Sequence, residues 1–183
     1  CQQYHATATS AYAANEQSLG HIIEAAARAL QLKLRVLYVS AQVFPGMLAI
    51  IDASECPPTF GASANDVKGY LVGGWTKIFQ DDVSHAPHVD VAAETAFDPQ
   101  PGDLVVFVRT LSDVSEEETS NAQLQPFIER SEAVGAKMAL LQVVHFGISV
   151  TSDARSPFDH VCSVPLPHHA DARQADVATK LLL

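Results

Sequence analysis

Basic residues are scarce. Eleven lysines and arginines stand against 21 aspartates and glutamates, a formal net charge of −10 over 183 residues. Such a surface lacks the clustered Lys and Arg that wrapping nucleic acid or adhering to an anionic membrane requires. Cysteine is rare too. Cys1, Cys56 and Cys162 cannot all pair and show no C-x-x-C spacing, so reduced thiols in a cytoplasmic protein are expected. No apolar run approaches the roughly 18–20 residues needed to cross a bilayer. Residues 1–14 have neither the charged start nor the apolar block of a signal peptide. Internal repeats and low-complexity stretches are missing. What is present is 48% apolar and only 17% charged residues, which excludes a disordered chain and suffices for one domain with a full core. The chain starts at Cys1 rather than Met and stops at residues 180–183 inside a helical pattern with no stop signal. The expectation is a piece of a longer protein.

Periodicity sets the order of elements. Leu19, Ile22, Ile23, Ala26 and Leu30 recur at helical spacing, which predicts an amphipathic helix over 15–30 capped by Asn15, with 1–14 as a lead-in. A short strand is expected over 34–39 and a buried helix over 46–53, which Pro57 and Pro58 should end. Residues 69–72 read as a second strand. The His- and Pro-bearing stretch 76–101 follows, with a short helix over 89–96. The run Leu104-Val105-Val106-Phe107-Val108 predicts a strand over 103–108 buried on both faces. A helix over 115–135 should end at Gly135, with Pro126 in an early turn. Strands over 139–144 and 160–164 and a last helix over 170–183 complete the list. Helices alternating with continuous apolar strands predict an α/β fold, a parallel sheet covered on both faces. Ligands in such folds bind beyond the carboxyl ends of the strands, so the loops of interest begin near Ser40, Gly73, Thr110 and His145.

One segment carries a family resemblance. Asp52-Ala53-Ser54-Glu55-Cys56-Pro57-Pro58-Thr59-Phe60-Gly61 resembles the signature of the N-acetylmuramic acid 6-phosphate etherases, which belong to the sugar isomerase (SIS) domain group. Val67-Lys68-Gly69-Tyr70-Leu71-Val72-Gly73-Gly74 looks like that family's next strand with its Gly-Gly end. The resemblance runs more weakly from Asn15 to Leu183. It implies a SIS-domain three-layer α/β/α sandwich, with a mainly parallel sheet of about five strands, over 15–183. The family's chemistry needs one acid to protonate a leaving ether oxygen and a second group to take a proton from the adjacent carbon. The resemblance places Glu55 as one of that pair, and Asp81 or Asp82 stands near the other position.

The phosphate-holding loops of the family are altered here. Its Gly-Thr-Ser-Gly-Arg loop is replaced by Ser40-Ala41-Gln42-Val43-Phe44-Pro45-Gly46-Met47, where only Ser40 offers a hydroxyl and Pro45 lacks an amide donor. Its Ala-Ser-Gly-Arg-Thr loop is replaced by Arg109-Thr110-Leu111-Ser112-Asp113-Val114-Ser115, followed by Glu116-Glu117-Glu118. Nearby carboxylates repel a phosphate dianion unless Arg109 offsets them. One acid kept and a phosphate grip lost is similar to the second SIS domain of the glucokinase regulatory proteins, which carry two SIS domains in tandem. Three readings follow. The leading one is a non-catalytic, phosphosugar-binding regulatory domain that packs on a neighbouring SIS domain in the same chain or on a dimer mate. Its ligand-binding candidates are Glu55, Ser40, Thr110 and Ser112, and a sugar kinase is a candidate partner. The second is an etherase-like lyase with Glu55 as general acid. The third is a SIS domain that serves assembly alone.

No cofactor and no metal is expected. His85 and His88, and His168 and His169, are close in sequence, but no cysteine or glutamate completes a metal-ligand spacing. His145 reads as a rim residue rather than a base. Cys56, beside Glu55 and with no histidine to activate it, reads as a packing residue. Trp75 and Phe79 form either an aromatic face for a partner or part of the domain's own packing. The Glu116–Glu118 run suits a helix N-terminus.

Overall fold

The computed structural model describes residues 2–74, 96–112, 114–145 and 156–166. Its elements are α1 (Gln2–Gln31), β1 (Val36–Ser40), α2 (Val43–Phe60), β2 (Val67–Leu71), β3 (Leu104–Leu111), α3 (Val114–Val134), β4 (Lys137–Val144) and β5 (His160–Pro165). All five strands are parallel, in the order β2-β1-β3-β4-β5. The continuous apolar runs demand this arrangement, because a parallel sheet buries both faces of its strands. Alternate residues of β3 divide between two cores. Leu104, Val106 and Val108 join Leu19, Ile22 and Ala29 of α1 and Ala53 of α2. Val105 and Phe107 join Leu124, Phe127 and Ile128 of α3, with Phe97 beside them. The result is the expected three-layer sandwich, with α1 and α2 on one face and α3 on the other. Among the described residues no helix is long and apolar enough to cross a membrane.

Several boundaries differ from expectation. The helix expected from Asn15 begins at Gln2, so Asn15 lies in its interior. Residues 2–14 contain no glycine or proline and are rich in alanine, which favours helix without a cap at 15. Pro57 and Pro58 do not end α2. The helix runs through them to Phe60 and stops at Gly61 (φ 69°), whose N–H donates to the Pro57 carbonyl at 2.9 Å. Prolines in a last turn remove only the amides that would have bonded Ala53 and Ser54, and the left-handed glycine supplies the stop. Pro126 lies in the interior of α3 rather than in an early turn. β3 extends to Leu111, which draws Arg109 and Thr110 out of the loop and into the sheet, paired with Gln142 and Val143. The helices expected over 89–96 and 170–183 fall almost wholly outside the described residues.

Candidate functional site

The sheet order reverses direction between β1 and β3. The chain leaves β1 through α2 to reach β2 on one side, and leaves β3 through α3 to reach β4 on the other. Beyond the carboxyl ends of these two strands lies the crevice where such folds seat ligands. Here the crevice is bridged by a side chain. Gln42, the N-cap of α2, donates through Nε2 to the Thr110 carbonyl at 2.6 Å and accepts the Thr110 N–H on Oε1 at 2.7 Å. The pair of bonds imitates one more rung of parallel ladder between the β1 and β3 loops. Ser40 is fully buried. Its hydroxyl donates to the Gln42 carbonyl and accepts the Gln42 N–H, both at 3.2 Å. The Ser40 hydroxyl is thus held within its own loop, and the Thr110 amide is held by Gln42 of that loop. Ser112 is exposed at the end of β3.

Arg109 points inward as well and is buried. Its Nε donates to Gln142 Oε1 at 2.8 Å, its Nη1 donates to Asn121 Oδ1, and its Nη2 stands 3.6 Å from Glu117 Oε1. Gln142 Nε2 continues the chain to Ser163 Oγ at 2.6 Å. Burial holds the Arg109 guanidinium below its ordinary value, and the Glu117 charge works against that. A polar chain therefore ties β3, β4 and β5 to the first turns of α3. Sequence reasoning missed Gln142. The available signal was a single amide inside the apolar run 139–144, since a buried amide needs partners. Gln42 carries no such signal.

Glu55 lies on the outward side of α2. The inward residues are Gly46, Ala49, Ile50 and Ala53, all buried. Phe44, Met47, Ile51 and Glu55 follow one another at steps of three or four, which places them along one stripe, and all four are exposed. The structure therefore separates the sequence candidates. Ser40, Thr110 and Ser112 sit at the carboxyl edge of the sheet, while Glu55 lies farther along α2 as it runs back toward the amino edge. Asp81 and Asp82 lie outside the described residues, as do Trp75, Phe79 and the histidine pairs His85/His88 and His168/His169. Among the described residues no three His, Cys, Asp or Glu side chains are placed to hold a metal.

On the inner side of the same helix, the half-buried Asp52 carboxylate lies close enough to the Tyr38 hydroxyl for each to shift the other's titration. Burial raises the pKa of Asp52; the Tyr38 hydroxyl lowers it and the Glu55 charge raises it. Burial also raises the Cys56 thiol, helped by the charges of Asp52 and Glu55, and Cys56 Sγ lies 3.4 Å from the Asp52 carbonyl. That is the setting of a packing residue rather than a nucleophile. A native carboxyl raised above its unfolded value holds its proton longer than the unfolded chain does. Stability then falls as pH rises through the native value. Asp52→Asn keeps an acceptor for Tyr38 and removes the charge. It is expected to raise Tm at pH 7 by about 1–3 °C, a gain that disappears under acid conditions. Melting curves of both proteins from pH 4 to 8 measure it.

A sequence profile described as "Glucokinase regulatory protein, second SIS domain" matches residues 13–163. Among curated proteins, the chain is 34% identical over 98 residues to an N-acetylmuramic acid 6-phosphate etherase of Cutibacterium acnes, covering 52% of this chain and 32% of that enzyme. It is 38% identical over 99 residues to the etherase of Symbiobacterium thermophilum, covering 50% of this chain and 31% of that enzyme. The matched stretch thus spans about a third of either relative. Among solved structures, a phosphoheptose isomerase from Francisella tularensis superposes with a TM-score of 0.52 at 16% identity, covering 99% of this chain and 91% of that one. At that identity the likeness is one of fold.

Proposed function

The chain belongs to the family of the second SIS domain of glucokinase regulatory protein, and on that premise we propose that it is a non-catalytic, phosphosugar-sensing domain that completes a sugar pocket gripped mainly by a neighbouring SIS domain. The observation that carries this reading is the bridged crevice. Gln42 spans it, the Ser40 hydroxyl is engaged by Gln42, and Arg109 is turned into the core. A phosphate dianion needs convergent amides, hydroxyls and a cation, and these groups are committed elsewhere. Glu55 supports the second half of the proposal. It is an exposed carboxylate on an outward stripe whose other members, Phe44, Met47 and Ile51, are exposed and apolar. Such a stripe suits contact with a partner surface. Seated there, Glu55 accepts hydrogen bonds from sugar hydroxyls, a charge-assisted contact that fixes the ring without reacting with it.

The test is Glu55→Ala in the full-length chain that carries both domains. Affinity for fructose 6-phosphate is expected to fall about tenfold, the size of a lost charge-assisted bond. Stability should change by less than about 0.5 kcal/mol, as for an exposed site. Unchanged affinity would remove Glu55 from the pocket and leave a domain that serves assembly alone.

A second reading is favoured by the intact motif over 52–61 and by the etherase relatives. In it Glu55 is the general acid of a lyase, with Asp81 or Asp82 as base. Release of lactate from N-acetylmuramic acid 6-phosphate above background would establish it and overturn the non-catalytic assignment.

A further inference from the structure

A cavity of about 690 Å³ opens at the amino edge of the sheet, at the opposite end from the Gln42 bridge. One wall is the second half of α1. The other is built from the starts of β3, β4 and β5. Its base includes Leu104 and the half-buried Leu34, with exposed Leu32 at its edge, and its rim is charged, with Glu24 and Arg28 from α1 and Lys137 and Asp159 from the sheet side. His21 and His160 stand at the same rim with ring centroids 6.0 Å apart. The volume lies within the range of small-molecule sites, which combine an apolar lining with a few polar groups.

The charges are unequally committed. Lys137 Nζ faces Asp159 Oδ1 at 3.5 Å. Among the described residues, Arg28 and Glu24 have neither an ion pair nor a side-chain hydrogen bond. Arg28 therefore offers an open planar fork above an apolar floor, the geometry that takes a carboxylate through two parallel bonds. Two cations and two carboxylates leave the rim with no net positive charge apart from the histidines. A phosphate dianion would bring two charges to a rim where Lys137 is already paired with Asp159 and Glu24 stands beside Arg28.

We propose that this cavity binds a small molecule that combines one carboxylate with a compact apolar body, the carboxylate on Arg28 and the body on Leu32, Leu34 and Leu104. The site is separate from the sugar-sensing surface of α2 and selects against phosphosugars.

The experiment is an amide NMR titration of the 183-residue chain with benzoate, 4-methylpentanoate, leucine, inorganic phosphate and fructose 6-phosphate. Benzoate or 4-methylpentanoate is expected to give saturable shifts centred on Gly102, Lys137 and His160. Phosphate and fructose 6-phosphate should give none there. Leucine carries an ammonium that Glu24 can meet; tighter binding than 4-methylpentanoate would identify the ligand class as apolar amino acids, and weaker binding as simple carboxylates. Arg28→Gln is expected to weaken binding about tenfold, and Leu32→Gln about threefold. Both positions are exposed, so the variants keep the spectrum of the folded protein. Shifts that do not saturate by about 10 mM, shifts centred elsewhere, or equal binding by Arg28→Gln would each overturn the proposal.

Discussion

Gly69→Ala is expected to lower Tm by roughly 10 °C. Gly69 sits in β2 directly under α2. A methyl group there would lie 2.7 Å from Ile50 Cα, 2.8 Å from Ile50 N and 2.9 Å from the Ala49 carbonyl carbon. These are main-chain atoms of a helix interior and cannot rotate aside. The helix must lift off the strand, and with it Ala49, Ile50 and Ala53 lose their packing. Overpacking of this kind costs about 3 kcal/mol, and for a chain of this size each kcal/mol moves Tm by about 2–4 °C. Two other glycines supply the scale. At Gly46 the added methyl meets the Leu71 side chain, with Cδ1 at 2.7 Å, and that side chain can turn, so Gly46→Ala should cost about half as much. At Gly61 nothing lies within 4 Å, but φ is 69°, so Gly61→Ala carries only the left-handed penalty of about 1 kcal/mol. Thermal melts of the three variants rank the sites. A Gly69→Ala loss no larger than that of Gly61→Ala would contradict the close approach of α2 to β2.

The close approach matters because α2 carries Glu55. The inward face that rests on Gly69 sets the azimuth of the outward stripe Phe44, Met47, Ile51 and Glu55. A β2 residue thus positions a candidate ligand group with which it makes no contact. On the proposed sugar-binding role of Glu55, Gly69 substitutions should disturb sugar affinity in proportion to their loss of stability, whereas Glu55→Ala should disturb affinity alone.

The parts of this fold legible in the sequence are those fixed by local pattern. The runs at 104–108 and 139–144 are apolar at every position but Gln142, which only a strand buried on both faces explains, and both are central strands of the parallel sheet. Boundaries were less legible where tertiary contacts override local rules. Arg109 reads as the start of a loop, yet β3 continues through it because Gln142, Asn121 and Glu117 satisfy its guanidinium inside the fold. Pro57 and Pro58 read as terminators, yet the stop is set by Gly61. The site divides in the same way. Glu55 is marked by its surrounding motif. The state of the Ser40 hydroxyl and the Thr110 amide depends on Gln42, and the clamp from Gln42 to Thr110 joins residues 68 apart in sequence. No spacing in the chain announces such a clamp.

Arg109→Met is expected to cost about 4 kcal/mol, within the usual range for breaking a buried pair from one side. The thioether fills most of the same space, so the loss is electrostatic rather than volumetric. Glu117 is only 8% exposed and would keep its charge with no cation beside it. Gln142 Oε1 and Asn121 Oδ1 would lose their donors, and a stranded buried acceptor costs about 1–3 kcal/mol. The charge explanation can be separated from the hydrogen-bond explanation. Glu117→Gln removes the charge but leaves Arg109 its bonds to Gln142 and Asn121, so its loss should stay below that of Arg109→Met. The double variant Arg109→Met/Glu117→Met replaces both ions by apolar groups and should be more stable than Arg109→Met alone, recovering at least half of the loss. The pH dependence has a definite sign. In Arg109→Met the native Glu117 carboxyl, desolvated and without its partner, holds a proton more tightly than in the unfolded chain. The deficit is therefore largest at neutral pH and shrinks as pH falls through that carboxyl's native range toward about pH 4. Urea unfolding of the three variants at pH 7 and pH 5, with m-values held equal to that of the parent, reads each difference directly. A double variant no more stable than Arg109→Met would show that Gln142, Asn121 and Ser163, rather than the Glu117 charge, determine what Arg109 contributes.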